Sequence, residues 1–230
     1  PDAAFHLVRS RELAQLKFHA LAVGELDEVN RIAGQHPPVR LLLIDEYMGN
    51  HAFVRGVALA HQLPGSTGER LFHRYPLAYW EIIQNKAREA EIDPYLVVAL
   101  IRQESLFDTR ARSSAAALGL MQLLSTTATR VAKQLGLTPP STERLFDPEL
   151  NVTLGTRYLQ NLLQRYSNNW FKAIAAYNAG EAAVDRWEKD IVTDDIEEFV
   201  ERIPYLETRQ YVKLVLRNHR IYKTLYNQDP

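Results

Sequence analysis

Apolar residues recur along the chain at the three- and four-residue spacing of helices, whereas the alternation that is typical of strands is scarce. Capping residues, Gly and Pro divide this pattern into separate segments. The pattern predicts a long helix that begins at residue 148 and further helices over residues 10–23, 25–33, 41–48, 53–62, 80–91, 94–105, 125–135, 170–179 and 207–226. Residues 111–122 alternate only enough for a small hairpin or an irregular loop. The predicted fold is therefore mainly α.

The first third of the chain consists of short predicted helices that end at Gly residues or before Pro residues. Helices this short cannot each bury a full apolar face alone, so they resemble helix pairs from the end of an α-solenoid. An N-terminal helical cap over the core of the following domain is the alternative. The segment 63–69 is rich in Gly, Pro and Ser and is the best candidate linker. We therefore predict domains over residues 1–68 and 69–230.

The most informative predicted helix begins at Asp93-Pro94. The Asp93 side chain can cap the free N–H groups of the first turn, and Pro94, which has no N–H group, occupies a position where none is needed. Residues 95–101 are apolar on all sides, which is typical of a buried helix. Glu104 then lies in the last turn, where the helix dipole and the apolar surroundings both raise the pKa of a carboxyl group. A Glu that keeps its proton near neutral pH can act as the general acid in glycosidic bond cleavage. The alternative is a solvated Glu at a helix end, paired with Arg102 or Arg112.

The composition is that of an ordinary globular protein, with 46% hydrophobic and 24% charged residues. A formal net charge of −1 argues against a protein that binds nucleic acid or an anionic membrane through its overall charge. The absence of Cys excludes disulfides, a thiolate nucleophile and a Cys-based zinc site. The seven His residues are scattered, without the spacing of a metal-binding helix pair, so we expect no metal ion.

No stretch reaches the apolar length of a membrane span, and the first residues resemble neither a signal peptide nor a lipidation site. The chain begins with Pro1 and not with Met. We therefore expect a processed or truncated piece of a longer protein, in which any export signal or membrane anchor lies upstream.

Four motifs follow one another in a specific order: Glu104-Ser105 at a helix end, a loop with Ser113, then Gly119-Leu120-Met121-Gln122, and Ala176-Tyr177-Asn178-Ala179-Gly180. Together they resemble the catalytic domain of the soluble lytic transglycosylases, which are relatives of goose-type lysozyme. The resemblance covers residues 75–226. It implies a lysozyme-like α+β domain with a cleft between a helical lobe and a small loop-rich lobe. It also implies that the first 68 residues are the tail of the helical superhelix that precedes this domain in the long soluble enzymes.

The resemblance implies a lytic reaction on peptidoglycan that uses one catalytic Glu and no metal or cofactor. Glu104 would protonate the oxygen between N-acetylmuramic acid and N-acetylglucosamine. Its carboxylate would then take the proton from the muramoyl C6 hydroxyl while that oxygen closes onto C1, which leaves a 1,6-anhydromuramoyl end. The resemblance further implies a monomer in the periplasm, with glycan strands and cell-wall synthesis or secretion complexes as its partners and no nucleic acid.

The resemblance also implies a set of substrate-binding residues around the acid: Ser113, Met121, Gln122, Tyr177, Asn178 and Glu207. Tyr177 would point towards the charge that develops at the reacting sugar. For five of these residues the sequence offers an alternative role. Ser113 can be a plain loop residue, and Gln122 can hydrogen-bond the backbone. Met121 is apolar enough for the core, Asn178 can tie its turn together, and Glu207 suits the N-terminus of a helix.

Two segments depart from the pattern of that family, and a third follows it. Ala116-Ala117 stands where the family usually has Gly-Ala, so a backbone conformation that Gly permits is either altered or adopted by Ala. Glu181-Ala182 stands where the family commonly has Pro-Gly, which concerns the loop beside the cleft. The late Ile-Pro-aromatic and Glu-Thr-Arg stretch is kept, and its Tyr205 and the following Tyr211 are predicted to serve in packing.

Two other functions stay open from the sequence. A true hydrolase of the same glycan would need a positioned water and a second carboxylate, which Asp108 or Glu207 could supply. A cap or loop contact is the simpler interpretation of Asp108, because Asp commonly plays that part at a helix break. A catalytically silent wall-binding module would keep the cleft, but its expected mark, a replaced Glu104 or Tyr177, is absent.

Overall fold

The computed structural model describes residues 2–65 and 68–227. Within these residues the chain forms a short 3-10 helix, Glu143–Phe146, and the following α-helices: α1 Asp2–Gln15, α2 His19–Ala33, α3 Pro37–Gly49, α4 Phe53–Gln62, α5 Glu69–Arg74, α6 Trp80–Glu89, α7 Pro94–Ser105, α8 Ser125–Gln134, α9 Pro148–Arg165, α10 Trp170–Ala179, α11 Glu181–Asp190, α12 Ile196–Glu201 and α13 Leu206–Tyr226. The described residues contain no strand, and isolated bridges join Leu118 to Arg112 and to Leu123. The predicted mainly α fold is confirmed, and residues 111–122 form an irregular loop.

Side-chain N-caps explain the start of two of the three helices whose predicted bounds are right, α7 and α10. Helices over 53–62, 94–105 and 170–179 are found as predicted. At the start of α7 the Asp93 carboxylate accepts a hydrogen bond from the Tyr95 N–H at 2.9 Å, and Pro94 follows it.

Backbone conformation explains where the predicted bounds are wrong. The stretch predicted as helices 10–23 and 25–33 contains α1 and α2 instead. Lys17, with a left-handed φ of 65°, separates these two helices, and Gly24 lies inside α2 without ending it. α3 begins at Pro37, earlier than predicted, because Pro is well suited to the first turn of a helix. Among the described residues, four helices were not predicted: α5, the 3-10 helix, α11 and α12.

The chain forms two compact units, Pro1–Ala78 and Tyr79–Pro230. The first unit continues past the predicted boundary at residue 68. Its last helix, α5, is attached through Arg74, whose guanidinium donates to the carbonyl oxygens of Ala60 at 3.0 Å and Leu63 at 2.8 Å. Ser66, which belongs to the predicted linker, lies outside the described residues. The roles assigned to the domains stay predictions.

In the first unit, α2, α3 and α4 enclose a core of buried apolar side chains. Its members are Leu26, Val29, Leu43, Ile44, Tyr47, Leu59, Ala60 and Leu63. The Tyr47 hydroxyl donates to Asp27 at 2.8 Å, and Arg55 donates to both oxygens of the same carboxylate. The phenol and the carboxylate at the edge of this core are thereby hydrogen-bonded.

In the second unit, α7 is the central helix. Residues 96–101 are fully buried, as the apolar pattern predicts. α13 packs along α7, and the two helices meet near the start of α7, where His219 Nε2 lies 2.9 Å from Asp93 Oδ2. This packing places the last turn of α7, with Glu104, near the first turns of α13. No helix in the described ranges is both long enough and apolar enough to cross a bilayer.

Candidate active site

Glu104 lies half-buried in the last turn of α7, and its closest polar partner comes from α13. The hydroxyl of Tyr211, a buried side chain, donates a hydrogen bond to Glu104 Oε1. The pKa of Glu104 is raised to about 7: burial is the largest cause, the Tyr211 hydrogen bond opposes it, and the negative charge of Glu207 adds to the rise. Near neutral pH this carboxyl group is therefore found in both protonation states, so it can give a proton and take one back.

The contact between Tyr211 and Glu104 corrects the prediction that Tyr211 serves only in packing. Tyr211 lies four positions after Glu207, on the same face of α13. A buried Tyr hydroxyl usually has a hydrogen-bond partner, and that rule was the available signal. The identity of the partner was not readable, because Glu104 lies 107 positions away in sequence.

The chain turns sharply after Glu104. Leu106 and Phe107 have left-handed φ values of 50° and 67°, and the Phe107 side chain is buried. The Ser105 hydroxyl lies 2.8 Å from the carbonyl oxygen of Leu120 and donates to it, which attaches the helix end to the following loop. Asp108 is exposed and accepts a hydrogen bond from the Arg110 N–H at 2.8 Å, the loop contact that we predicted.

Ser113 and Gln122, two predicted binding residues, hold the loop 111–124 in shape. The Ser113 hydroxyl oxygen accepts from the Ala117 N–H at 3.0 Å. The Gln122 amide donates to the carbonyl oxygens of Ala111 at 3.1 Å and Gly119 at 2.9 Å. Both side chains are half-buried. Their substrate contacts stay a prediction, and their loop contacts are established.

Gly119 is required where the loop passes close to α9. Its φ is +75°, and a Cβ there would lie 2.4 Å from both the Leu145 carbonyl oxygen and Asn151 Nδ2. Asn151, fully buried, donates to the carbonyl oxygens of Leu118 at 3.0 Å and Leu145 at 2.8 Å, and accepts from the Met121 N–H at 2.8 Å. The sequence analysis missed Asn151, although a polar residue inside an apolar helix pattern could have indicated it.

The side chain of Met121, a predicted substrate-binding residue, is fully buried. The side chain packs on α9 where Gly155 leaves room, since a Cβ at Gly155 would lie 2.4 Å from Met121 Sδ. This packing favours the core alternative for Met121. At the end of this loop Leu124 has 44% of its surface exposed, so it presents apolar surface where Met121 does not.

Tyr177 lies half-buried at the end of α10, near enough to Glu104 for an electrostatic interaction with its charge. Burial, and then the negative charge of Glu104, raise the pKa of the Tyr177 hydroxyl well above its usual range. The hydroxyl donates to the carbonyl oxygen of Met121 at 2.8 Å. Its proton is thereby directed to the loop, and the phenol oxygen keeps its capacity to accept.

Asn178 and Glu207 differ in what they offer to a ligand. Asn178 Oδ1 accepts a hydrogen bond from the buried Thr208 hydroxyl at 2.6 Å, which ties α10 to α13 and supports the alternative that Asn178 is structural. Glu207 is exposed in the first turn of α13. Its negative charge raises the pKa of Glu104, so the two carboxyl groups lie near enough to interact. In the described parts of the chain, no three His, Asp or Glu side chains gather as metal ligands.

Two family models match the chain. Residues 81–200 match the Transglycosylase SLT domain, and residues 202–230 match the Soluble lytic transglycosylase helical domain. The first match includes Glu104, the loop 111–124 and Tyr177. The second falls on the C-terminal residues, whereas the sequence predicts the superhelical segment over residues 1–68.

Lytic transglycosylases of known sequence or structure are also similar to this chain. The soluble lytic murein transglycosylase of Escherichia coli K12 is 36% identical over 170 residues, which are 73% of this chain and 26% of that protein. The 70-kDa soluble lytic transglycosylase of Escherichia coli matches 96% of this chain and 35% of its own, with a TM-score of 0.79 and 32% identity. An inactive mutant of lytic transglycosylase Slt from Pseudomonas aeruginosa matches 96% of this chain and 36% of its own, with a TM-score of 0.76 and 28% identity. The chain thus spans about a quarter of the curated relative and about a third of the solved chains.

Proposed function

Because the chain belongs to the Transglycosylase SLT domain family, we propose that it is a peptidoglycan lytic transglycosylase with Glu104 as its only catalytic acid and base. It would cleave the β-1,4 bond between N-acetylmuramic acid and N-acetylglucosamine without water. The observation that carries this proposal is the position of Glu104, a half-buried carboxyl group that accepts a hydrogen bond from Tyr211 and whose pKa is raised to about 7. Such a group can serve in both halves of the reaction at one pH.

In the first half, protonated Glu104 gives its proton to the glycosidic oxygen. The bond from C1 of the muramoyl residue to that oxygen breaks, and N-acetylglucosamine leaves with a new hydroxyl group. Burial disfavours the carboxylate that results. The hydrogen bond from Tyr211 stabilises this carboxylate and so lowers the cost of the proton transfer.

In the second half, the Glu104 carboxylate takes the proton from the muramoyl C6 hydroxyl while that oxygen bonds to C1. One C–O bond has broken and another has formed, the proton has passed through Glu104, and the acid is restored. Tyr177 would stabilise the positive charge that develops at C1, because its own proton is held by the Met121 carbonyl and its oxygen can accept. Ser113, Gln122 and the exposed Leu124 would line the glycan path, and Asn178 would hold the turn that carries Tyr177.

A hydrolase of the same glycan is the second candidate, and Glu207 is the residue that favours it. Its charge acts on Glu104, and it is exposed to solvent, so it could activate a water molecule. Asp108 is the weaker supplier because its carboxylate accepts a backbone hydrogen bond in the turn after α7.

The substrate proposed here also suggests a location and partners. Glycan strands of peptidoglycan lie in the periplasm of bacteria with two membranes, so we place the reaction there. The strand itself is the expected partner, with cell-wall synthesis or secretion complexes as recruiters, and the scheme requires no cofactor and no nucleic acid. A monomer suffices, since every residue in the scheme belongs to one chain.

Mass spectrometry of the fragments released from purified peptidoglycan sacculi tests the proposal. We expect fragments one water lighter than hydrolytic muropeptides, with ends that borohydride does not reduce. The Glu104→Gln variant should keep its fold and its glycan binding but lose turnover by orders of magnitude, roughly 10²- to 10⁴-fold. Reducible ends would establish the hydrolase with Glu207 as base, and full activity of Glu104→Gln would move the chemistry to another residue.

A further inference from the structure

A cluster of three side chains from three helices lies next to the site and has no part in the scheme above. Glu181 of α11 forms an ion pair with Arg130 of α8, with Oε1 and Nη2 3.1 Å apart. The hydroxyl of Tyr158, on α9, donates to the other carboxylate oxygen of Glu181 at 3.3 Å. The Arg130 guanidinium also lies over the Tyr158 ring, 5.4 Å from its centroid. The Tyr158 side chain is therefore held both at its hydroxyl and on its face.

Tyr158 connects this cluster to Tyr177. Their ring centroids are 5.2 Å apart and the rings are tilted by 45°. Tyr158 is 6% exposed, so its ring has little room to move away. Burial, and then the Glu181 carboxylate, raise the pKa of the Tyr158 hydroxyl, which keeps its proton and its hydrogen bond at all working pH values.

We propose that Glu181 is a positioning residue of this enzyme: together with Arg130 it fixes Tyr158, and the Tyr158 ring fixes Tyr177 beside Glu104. The inference rests on the proposed function, because it assumes that Tyr177 acts on the reacting sugar. A small displacement of such a group lowers the rate sharply, since transition-state stabilisation depends on placement within about 0.5 Å. Substrate binding, which uses other contacts, is expected to change little.

A second ion pair of α11, which this time joins it to α9, provides a matched control. Arg165 Nη2 lies 2.6 Å from Asp185 Oδ2, and the Tyr166 hydroxyl donates to Asp185 at 3.0 Å. This pair has the same composition as the first, an Arg, a carboxylate and a Tyr hydroxyl, but it is built on Tyr166 and not on Tyr158. If a substitution acted only by weakening the packing of α11 against α9, the loss of either carboxylate should have the same effect.

The experiment compares kcat and KM on purified glycan strands for the wild type, Glu181→Ala, Glu181→Gln and Asp185→Ala. Glu181→Ala should lower kcat by about tenfold and leave KM nearly unchanged. Glu181→Gln should recover most of that loss, because an amide oxygen still accepts from the Tyr158 hydroxyl. Asp185→Ala should keep the wild-type kcat while lowering the denaturation temperature about as much as Glu181→Ala does.

A double variant tests whether the effect passes through Tyr158. In the Tyr158→Phe background the hydroxyl that Glu181 holds is gone, so adding Glu181→Ala should reduce kcat little further. The proposal would be overturned if the losses of kcat from Tyr158→Phe and Glu181→Ala multiplied in the double variant. An unchanged kcat in Glu181→Ala, or an equal loss of kcat in Asp185→Ala, would overturn it as well.

A readout without turnover separates this inference from the proposed function. In protein with 13C-labelled Tyr, the ring resonances of Tyr177 should shift in Glu181→Ala and stay in place in Asp185→Ala. Unmoved Tyr177 resonances in Glu181→Ala would overturn the positioning role even in an active enzyme. If the wild type releases no anhydro ends, the proposed function fails, while the resonances still decide whether Glu181 positions Tyr177.

Discussion

At the scale of single residues, the protonation of Glu104 depends on three neighbouring influences that act in different directions. Burial and the charge of Glu207 raise its pKa, and the hydrogen bond from Tyr211 lowers it. Tyr211→Phe should therefore raise the pKa of Glu104 above about 7, and Glu207→Gln should lower it. The pH dependence of turnover measures both shifts. Shifts in the same direction for the two variants would contradict this description of the site.

The backbone of the loop gives a second residue-scale prediction. Ala116 adopts a left-handed φ of 61°, a conformation that Gly takes easily and Ala does not. The Ala that stands where the family usually has Gly therefore strains the backbone. Ala116→Gly should stabilise the protein by about 1 kcal/mol, as the relief of strain exceeds the added entropy of the unfolded chain.

Two control variants sharpen this test in denaturant unfolding. Ala115→Gly, next to it but without a positive φ, should destabilise by about 0.5 kcal/mol because only the unfolded-state entropy changes. Gly119→Ala should destabilise by roughly 2 kcal/mol or more, since its Cβ would lie 2.4 Å from backbone. If the free energy of unfolding of Ala116→Gly did not exceed that of Ala115→Gly, the backbone at Ala116 would be unstrained.

At the scale of helices, α7 and α13 are joined at both ends. Glu104 meets Tyr211 at one end, and at the other the Asp93 carboxylate contacts His219 at 2.9 Å and Lys223 at 3.7 Å. Burial alone would raise the pKa of Asp93. The hydrogen bonds from His219 and the Tyr95 N–H and the charge of Lys223 outweigh burial and hold that pKa below 3.8.

Asp93 therefore makes the stability of this helix pair depend on pH. A depressed pKa gives stability that is present above the unfolded value and is lost as pH falls through the folded value. Asp93→Asn, which keeps a good N-cap, should lower the free energy of unfolding at pH 7 by about 1 kcal/mol. The difference from wild type should shrink as pH falls through the depressed pKa of Asp93, where the carboxylate takes up a proton. A difference that persists at low pH would show that the cap, and not the charge, is responsible.

The helices show what the sequence could predict. The bounds of α7 and α10 were readable because Asp93 and Asn169 are strong N-caps, and Asn169 accepts from the Lys172 N–H as expected. The turn after Glu104 was not readable, because Leu106 and Phe107 take left-handed conformations that their residue types do not favour. Local patterns predict helices well and predict strained turns poorly.

At the scale of the whole molecule, the site is assembled from α7, the loop 111–124, α10 and α13. Glu104 and Tyr177 could be proposed from sequence because both lie in recognisable motifs, and their roles stay proposals. Tyr211 and Asn151 were missed because their roles depend on partners that only the fold brings near. The motif position of Met121 does not reveal that its side chain packs against Gly155 in the core.

The central claim is that the fold holds Glu104 as an acid that is half-protonated near neutral pH. A 13C NMR titration of the Glu104 side-chain carboxyl group, assigned by its absence in Glu104→Gln, measures this directly. We expect a midpoint of about 7. A midpoint near 4.3, the value of an unperturbed Glu, would contradict the account, because Glu104 would then have no proton to donate at neutral pH.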